Sequence, residues 1–211
     1  MTTCDERTVK CANCGKKQKV SMLMSTNTMG PCDFDLRPAP MKRYTLSMCI
    51  EFCEKCEYGS HDIGSISEKG KDVLGTKEYH DFIHSFVESK TVMAYLGDYY
   101  IKKEEGRYRE AYYAMKSVSW LLDDKRSAKA KEARILALEC FDKCSEREFP
   151  IDEHIAKTDI LRRAGKFDEA IAFAKELLTK VNNDLLVKIL ECEIKYASDK
   201  DTRCHSLGEI Q

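Results

Sequence analysis

Two short motifs constrain this chain more than any other feature: CANCG, with Cys11 and Cys14, and CEKCE, with Cys53 and Cys56. A turn bearing two thiolates with two residues between them aims both sulfurs to one side, and two such turns supply the four ligands of a tetrahedral site with metal–sulfur distances of about 2.3 Å. Zinc is the ion such a donor set favours, and four thiolates leave no open position for a substrate, so the expected role is structural. Gly15 suits the first turn, whose amides fold back toward sulfur through a backbone that tolerates positive φ. The 38 residues between the pairs exceed the roughly 15–20 of the common zinc pattern. A proline-rich insert, TNTMGPCDFDLRPAP, accounts for the excess.

The competing chemistry for a CxxC is a redox dithiol, which needs the pair at the start of a helix after a strand, where the thiol pKa falls. Neither pair is followed by a helical run. The chain has 11 cysteines, an odd number, which argues against a fully paired disulfide framework and for metal. The first residues, MTTCDERTVKCANCG, hold acidic and cysteine residues where a signal peptide has an apolar run, and no segment approaches about 20 apolar residues. Cytoplasmic localisation without membrane contact is therefore expected.

The chain divides near Ile66. Residues 1–66 hold seven of the cysteines and three of the four prolines, and read as a zinc-ribbon-like module of loops and short strands. Lys16–Met24 and Arg43–Phe52 are the strand candidates, separated by an insert dense in turn residues. Residues 67–211 show apolar side chains at three- and four-residue spacing, which predicts helices near 77–88, 91–105, 107–122, 127–147, 152–165, 167–181 and 184–198. The predicted fold class is mainly α with a small β/loop ribbon, the helices forming antiparallel hairpins.

EEGRYREAYYAM and RAGKFDEAIAFA share Gly, a basic residue, an aromatic residue, any residue, Glu and Ala. Gly106 and Gly165 supply left-handed turns, Tyr108 and Phe167 pack back on the preceding helix, and Ala111 and Ala170 let helices approach closely. This pattern resembles the turn of tetratricopeptide repeats. The two turns are 59 residues apart against a repeat of about 34, so the helical half is tetratricopeptide-like without being an ideal array.

Other cysteines and histidines have plainer readings. Cys49 lies near enough to Cys53 to compete as a ligand, Cys32 falls in the insert, and His61 follows the second turn either as a partner supporting the metal site or as a plain surface or satisfied residue. Cys140 and Cys144 share a helix face and suit core packing. His80 and His84 share another, without the glutamate of HExxH. Cys204 and His205 are placed in a tail. Tyr95, Tyr99, Lys102 and Lys103 are candidates for a groove on the helical half, against ordinary packing and solvated charge.

The run from Leu23 to Arg43, followed by CEKCEYGSHDI, resembles a bacterial family of zinc-ribbon proteins of unknown function whose C-terminal part looks like tetratricopeptide repeats. The positions that carry the resemblance are Ser25, Thr26, Asn27, Asp33, Asp35, Arg37, Pro38 and Met41. It implies a Cys4 ribbon joined to a helical region and no particular activity. Asp33, Asp35 and Arg37 form either a small ligand or partner site on a rigid loop, or an internal clamp in which Arg37 bridges a carboxylate to pin the insert on the zinc module.

Three functions follow in order. The first is a zinc-binding scaffold or protein–protein interaction protein with a helical binding surface. The second is nucleic-acid binding through GKKQK and MKR, disfavoured because the ribbon half has nine basic against eight acidic residues and four thiolates with one Zn²⁺ add about −2, which leaves no basic stripe. The third is an enzyme acting on a small substrate at the Asp33–Arg37 loop, for which no nucleophile elbow, phosphate loop or triad spacing is present.

Overall fold

A computed structural model of the chain describes residues 1–86 and 89–210. The N-terminal module is a hairpin, β1 (Thr3–Lys10) antiparallel to β2 (Lys17–Ser25), and a two-residue ladder, β3 (Glu51–Phe52) antiparallel to β4 (Gly59–Ser60). Each ladder closes around one CxxC turn. The helical body follows as α1 (Glu68–Leu74), α2 (Lys77–His84), α3 (Lys90–Glu104), α4 (Tyr108–Asp124), α5 (Lys129–Phe141), α6 (Ile151–Arg163), α7 (Phe167–Leu178) and α8 (Asp184–Ser198). The fold is mainly α with a small β module, as the sequence pattern predicts.

Several boundaries differ for local reasons. Arg43–Phe52, expected as a strand, is instead a 3-10 turn over Lys42–Met48 leading into β3, because Arg43 donates to the Pro38 carbonyl and Thr45 to that of Lys42. β1 was not anticipated: its burial pattern is almost wholly exposed, so it lacks the apolar alternation that marks a strand. α1 was also missed, although Ser67 caps it by accepting from Gly70 N–H. The helix expected over 127–147 ends at Phe141, and Ser145 and Glu148 form a capping box for a separate 3-10 turn. The helix expected over 77–88 runs to His84; residues 87 and 88 lie outside the described residues.

Four helices end with the same hydrogen bonds. Arg107 N–H reaches Lys102 O, Ser127 N–H reaches Leu122 O, Lys166 N–H reaches Leu161 O and Asp201 N–H reaches Tyr196 O, each at 2.8–2.9 Å. The residue before each donor has positive φ: Gly106 at 76°, Arg126 at 52°, Gly165 at 78° and Lys200 at 54°. These are Schellman-type caps. Two carry the expected glycine, and two adopt the same geometry with a long basic residue.

The core runs without a break across residue 66. Val9, Val20, Ile50, Tyr58 and Ile63 of the ribbon belong to the same buried cluster as Tyr79, Leu96, Tyr99, Tyr112 and Met115 of the helices. Gly59 and Gly97 make the close approach possible, since a Cβ on Gly59 would collide with the Ala94 backbone and one on Gly97 with the Tyr79 hydroxyl. Tyr95 and Tyr99 are buried, and Tyr95 Oη donates to Leu46 O at 3.1 Å. The tyrosines of the expected groove are thus packing residues.

The insert crosses from the ribbon onto the C-terminal helices. Phe34 lies in a second core with Ile155, Ala174, Leu177, Ile189 and Leu190. The final segment covers it: Phe34 N–H donates to His205 O at 3.0 Å, and His205 stacks on Tyr196 with ring centroids 3.8 Å apart. Cys204 and His205 therefore form no free tail. His205 is buried, and Cys204 Sγ contacts Asp33 Oδ2. Among the described residues no helix is long and apolar enough to cross a membrane.

Candidate metal centre

The two CxxC turns are built alike. Cys11 N–H donates to Lys16 O and Gly15 N–H to Cys11 O; Cys53 N–H donates to Tyr58 O and Glu57 N–H to Cys53 O, all at 2.7–2.9 Å. Gly15 and Glu57, each following the second cysteine of its pair, have φ of 72° and 57°. The turns are equivalent, but glycine occupies the strained position only in the first. A left-handed backbone costs a non-glycine residue about 1–2 kcal/mol.

The structure shows what holds Glu57 there. Its carbonyl accepts from Tyr79 Oη at 2.7 Å, and its carboxylate lies 2.7 Å from His80 Nδ1 and 2.9 Å from His84 Nε2. The paired histidines on α2 thus clasp the second turn. His80 completes the link by placing Nε2 3.1 Å from Leu74 O. Their four-residue spacing was legible in the sequence; their partner was not.

The four sulfurs converge. Ligand atoms of Cys11, Cys14, Cys53 and Cys56 all lie within 4.8 Å of one another, with Cys11–Cys56 at 3.7 Å and Cys14–Cys53 at 3.5 Å. A tetrahedron with 2.3 Å metal–sulfur bonds has edges of about 3.8 Å, close to both values. All four are free thiols, so the arrangement is not a disulfide. The four cysteines are positioned to bind a metal.

Burial differs around the cluster: Cys11 and Cys53 are enclosed, whereas Cys14 and Cys56 are partly exposed. Burial also acts against ionisation of Cys14, but the Lys16 amide and the neighbouring thiols outweigh it and bring the group to about 7. Burial pushes Cys56 up to about 12. Cys14 is therefore readier to ionise than Cys56, and a bound cation would favour the thiolate form of its ligands. Cys14 leads into β2 and Cys56 into β4, so neither pair has the helix N-terminus that a redox dithiol requires.

The two halves of the centre are tied by Glu51, whose Oε1 accepts from Arg7 Nη2 at 2.6 Å and whose Oε2 accepts from Ile63 N–H at 3.1 Å. Ala12 N–H donates to Ile63 O at 2.8 Å. His61 Nδ1 donates to Cys49 O at 2.6 Å. Cys49 stays outside the four-sulfur group, as do Cys32, Cys140, Cys144 and Cys204. Cys144, just past the end of α5, turns its Sγ to the Cys140 carbonyl.

Asp33, Asp35 and Arg37 lie elsewhere. All three are buried, and their partners are on α4, on α6, in the 3-10 turn after the insert and in the final segment. Asp35 Oδ2 accepts from Trp120 Nε1 at 2.8 Å and Arg163 Nη1 at 2.9 Å; Arg37 Nη2 pairs with Asp124 Oδ2 at 2.6 Å; Asp33 Oδ1 pairs with Arg43 Nη2 at 2.6 Å. The expectation that Arg37 pins the insert to the zinc module is thus corrected: it pins the insert to α4. Trp120, Asp124 and Arg163 escaped sequence reasoning, because they lie 85 or more positions from their partners and only the fold unites them.

No family model, curated protein or solved structure matches the chain. The centre is therefore read from the geometry of its four cysteines.

Proposed function

We propose that this chain is a zinc-stabilised scaffold in which one Zn²⁺, held by Cys11, Cys14, Cys53 and Cys56, fixes the ribbon against α2 and α3, and the helical body presents a surface to a protein partner. The observation that carries it is the mutual approach of four sulfurs drawn from two hydrogen-bonded turns. Sulfur ligands suit zinc, and four of them close its tetrahedron, which supports a structural role. Zinc supplies about 10–16 kcal/mol in comparable small modules, enough to organise a ribbon whose two ladders are each only two strands wide.

The insert supports the scaffold reading. Asp35 and Arg37 are engaged with α4 and α6, and its apolar Phe34 fills the core beneath α7 and α8. Zinc, insert and helices therefore act as one frame. Metal analysis of the purified full-length chain, followed by cross-linking in its native cell, tests both parts. Absence of bound zinc removes the first part, and a chain that cross-links to no protein removes the second.

A further inference from the structure

A cleft of about 470 Å³ lies between the loop around β4 and the C-terminal half of α3. That volume is within the range of small-molecule sites. Its walls include Tyr58, Ile66 and Ile101, with Asp98, Lys102 and His61 as the polar groups that concern us. Asp98 is 97% buried by its 3% exposure, and among the described residues no hydrogen bond reaches either of its carboxylate oxygens. Its polar neighbours stay beyond hydrogen-bond reach: Lys102 Nζ forms a long ion pair at 3.9 Å from Oδ1, and His61 Nε2 is 3.9 Å from Oδ2.

The missing partner has a defined character. His61 Nδ1 faces a carbonyl, which only accepts, so this nitrogen carries a proton, and in the singly protonated ring Nε2 is an acceptor. Oδ2 of Asp98 and Nε2 of His61 are then two acceptors facing one gap. A single atom with two or more hydrogens fills it: placed about 2.8 Å from each, it subtends about 90°, which an ammonium meets with modest bending. Lys102 beside the same carboxylate offers three donors and no acceptor, and calls for an anionic group. The other charges at the cleft are already paired, Glu105 with Ser67 and Arg107, Arg107 with Glu110, and Asp62 with Arg7. Burial also holds Asp98 above the usual carboxylate range, as befits a carboxylate that lacks donors.

We infer that the cleft binds a free α-amino acid, its ammonium between Asp98 and His61 and its carboxylate on Lys102. The dipole of the site opposes the dipole of the zwitterion, so neither member of the pair is left with an uncompensated charge. Tyr58, Ile66 and Ile101 leave apolar room for a side chain. This site is independent of the proposed metal role.

The test is ligand-observed NMR and titration calorimetry on the full-length protein with each standard L-amino acid. At least one is expected to bind saturably, with its α-amide and its N-acetyl form weaker by about tenfold or more, because each lacks one of the two charges. Asp98→Asn and Lys102→Met are expected to weaken it by a similar factor. Lys102→Met and His61→Gln act at the mouth, and their thermal melts show whether the fold persists if Asp98→Asn does not fold. Absence of binding by every amino acid, equal binding by the amide, or binding only by a peptide N-terminus would overturn the assignment.

Discussion

The indole N–H of Trp120 donates to Asp35 Oδ2 at 2.8 Å, joining α4 to an insert 85 residues earlier in the chain. Asp35 is fully enclosed and shares the same oxygen with Arg163, which in turn reaches Asp123 at 2.6 Å. Trp120 is the only tryptophan. Its fluorescence therefore reports directly on whether the insert is docked.

Replacing one member of a buried ion pair leaves the other uncompensated, at a cost of about 3–5 kcal/mol. Asp35→Asn is expected to lower stability by that amount at pH 7, read by urea unfolding through Trp120. The cost depends on pH in a definite sense. Burial alone would raise Asp35, but Arg163, Lys116 and the Trp120 donor outweigh it and hold it below its ordinary 3.8. A carboxylate with a depressed folded pKa contributes stability above its unfolded value and loses it as pH falls through the folded one. The gap between wild type and Asp35→Asn should thus be full at pH 7 and shrink once pH drops below about 4. A gap that stays constant into acid would show that Asp35 does not act through its charge.

Glu57 occupies the position that glycine holds in the first turn, with φ of 57°, and its carboxylate meets His80 and His84. Glu57→Ala loses the clasp and keeps the strain, whereas Glu57→Gly loses the clasp and relieves it. The alanine variant should be less stable than the glycine variant by about 1 kcal/mol. Thermal unfolding of metal-loaded protein measures the difference. Equal stabilities would mean that the backbone there is not left-handed.

The helix caps allow a paired comparison. Nothing lies within 4 Å of a Cβ placed on Gly106, so Gly106→Ala should cost about 1 kcal/mol through backbone conformation alone. Arg126 has the same handedness and is exposed, so Arg126→Gly should gain a comparable amount. Opposite signs in chemical denaturation are the expected result. The same sign for both would contradict the shared cap geometry.

Gly59 tests how the ribbon seats on α3. An added methyl would meet the Ala94 backbone, which cannot step aside as a flexible side chain can. Gly59→Ala should cost about 1–3 kcal/mol and weaken metal retention, since Gly59 follows the second turn in β4. Wild-type stability in this variant would show that ribbon and helix pack less closely.

The cysteine turns and the helices were legible because their signals are local. Spacing of two residues brings Cys11 beside Cys14, and three- to four-residue periodicity marks α3 through α8. The insert was legible only as composition. Asp35 and Arg37 showed as a polar run, but their partners Trp120, Arg163 and Asp124 are set by tertiary packing, which no local pattern encodes. His80 and His84 were recognised as a pair, yet their role depends on Glu57 arriving from the other half. Cys204 and His205 read as a tail because a short polar segment hides its dependence on Phe34 and Tyr196. β1 escaped because an exposed hairpin strand needs little apolar alternation.

The most direct measurement is the metal content of full-length protein purified without added zinc, by mass spectrometry of the intact native chain alongside elemental analysis. One zinc ion per chain is expected, lost on replacing either Cys11 or Cys53 by serine and retained when Cys49 or Cys32 is replaced. Cobalt loaded in place of zinc should show the visible absorption of a tetrahedral thiolate site. A native chain that carries no metal, or one whose metal survives loss of Cys11 and Cys53, would contradict a single centre shared by the two turns.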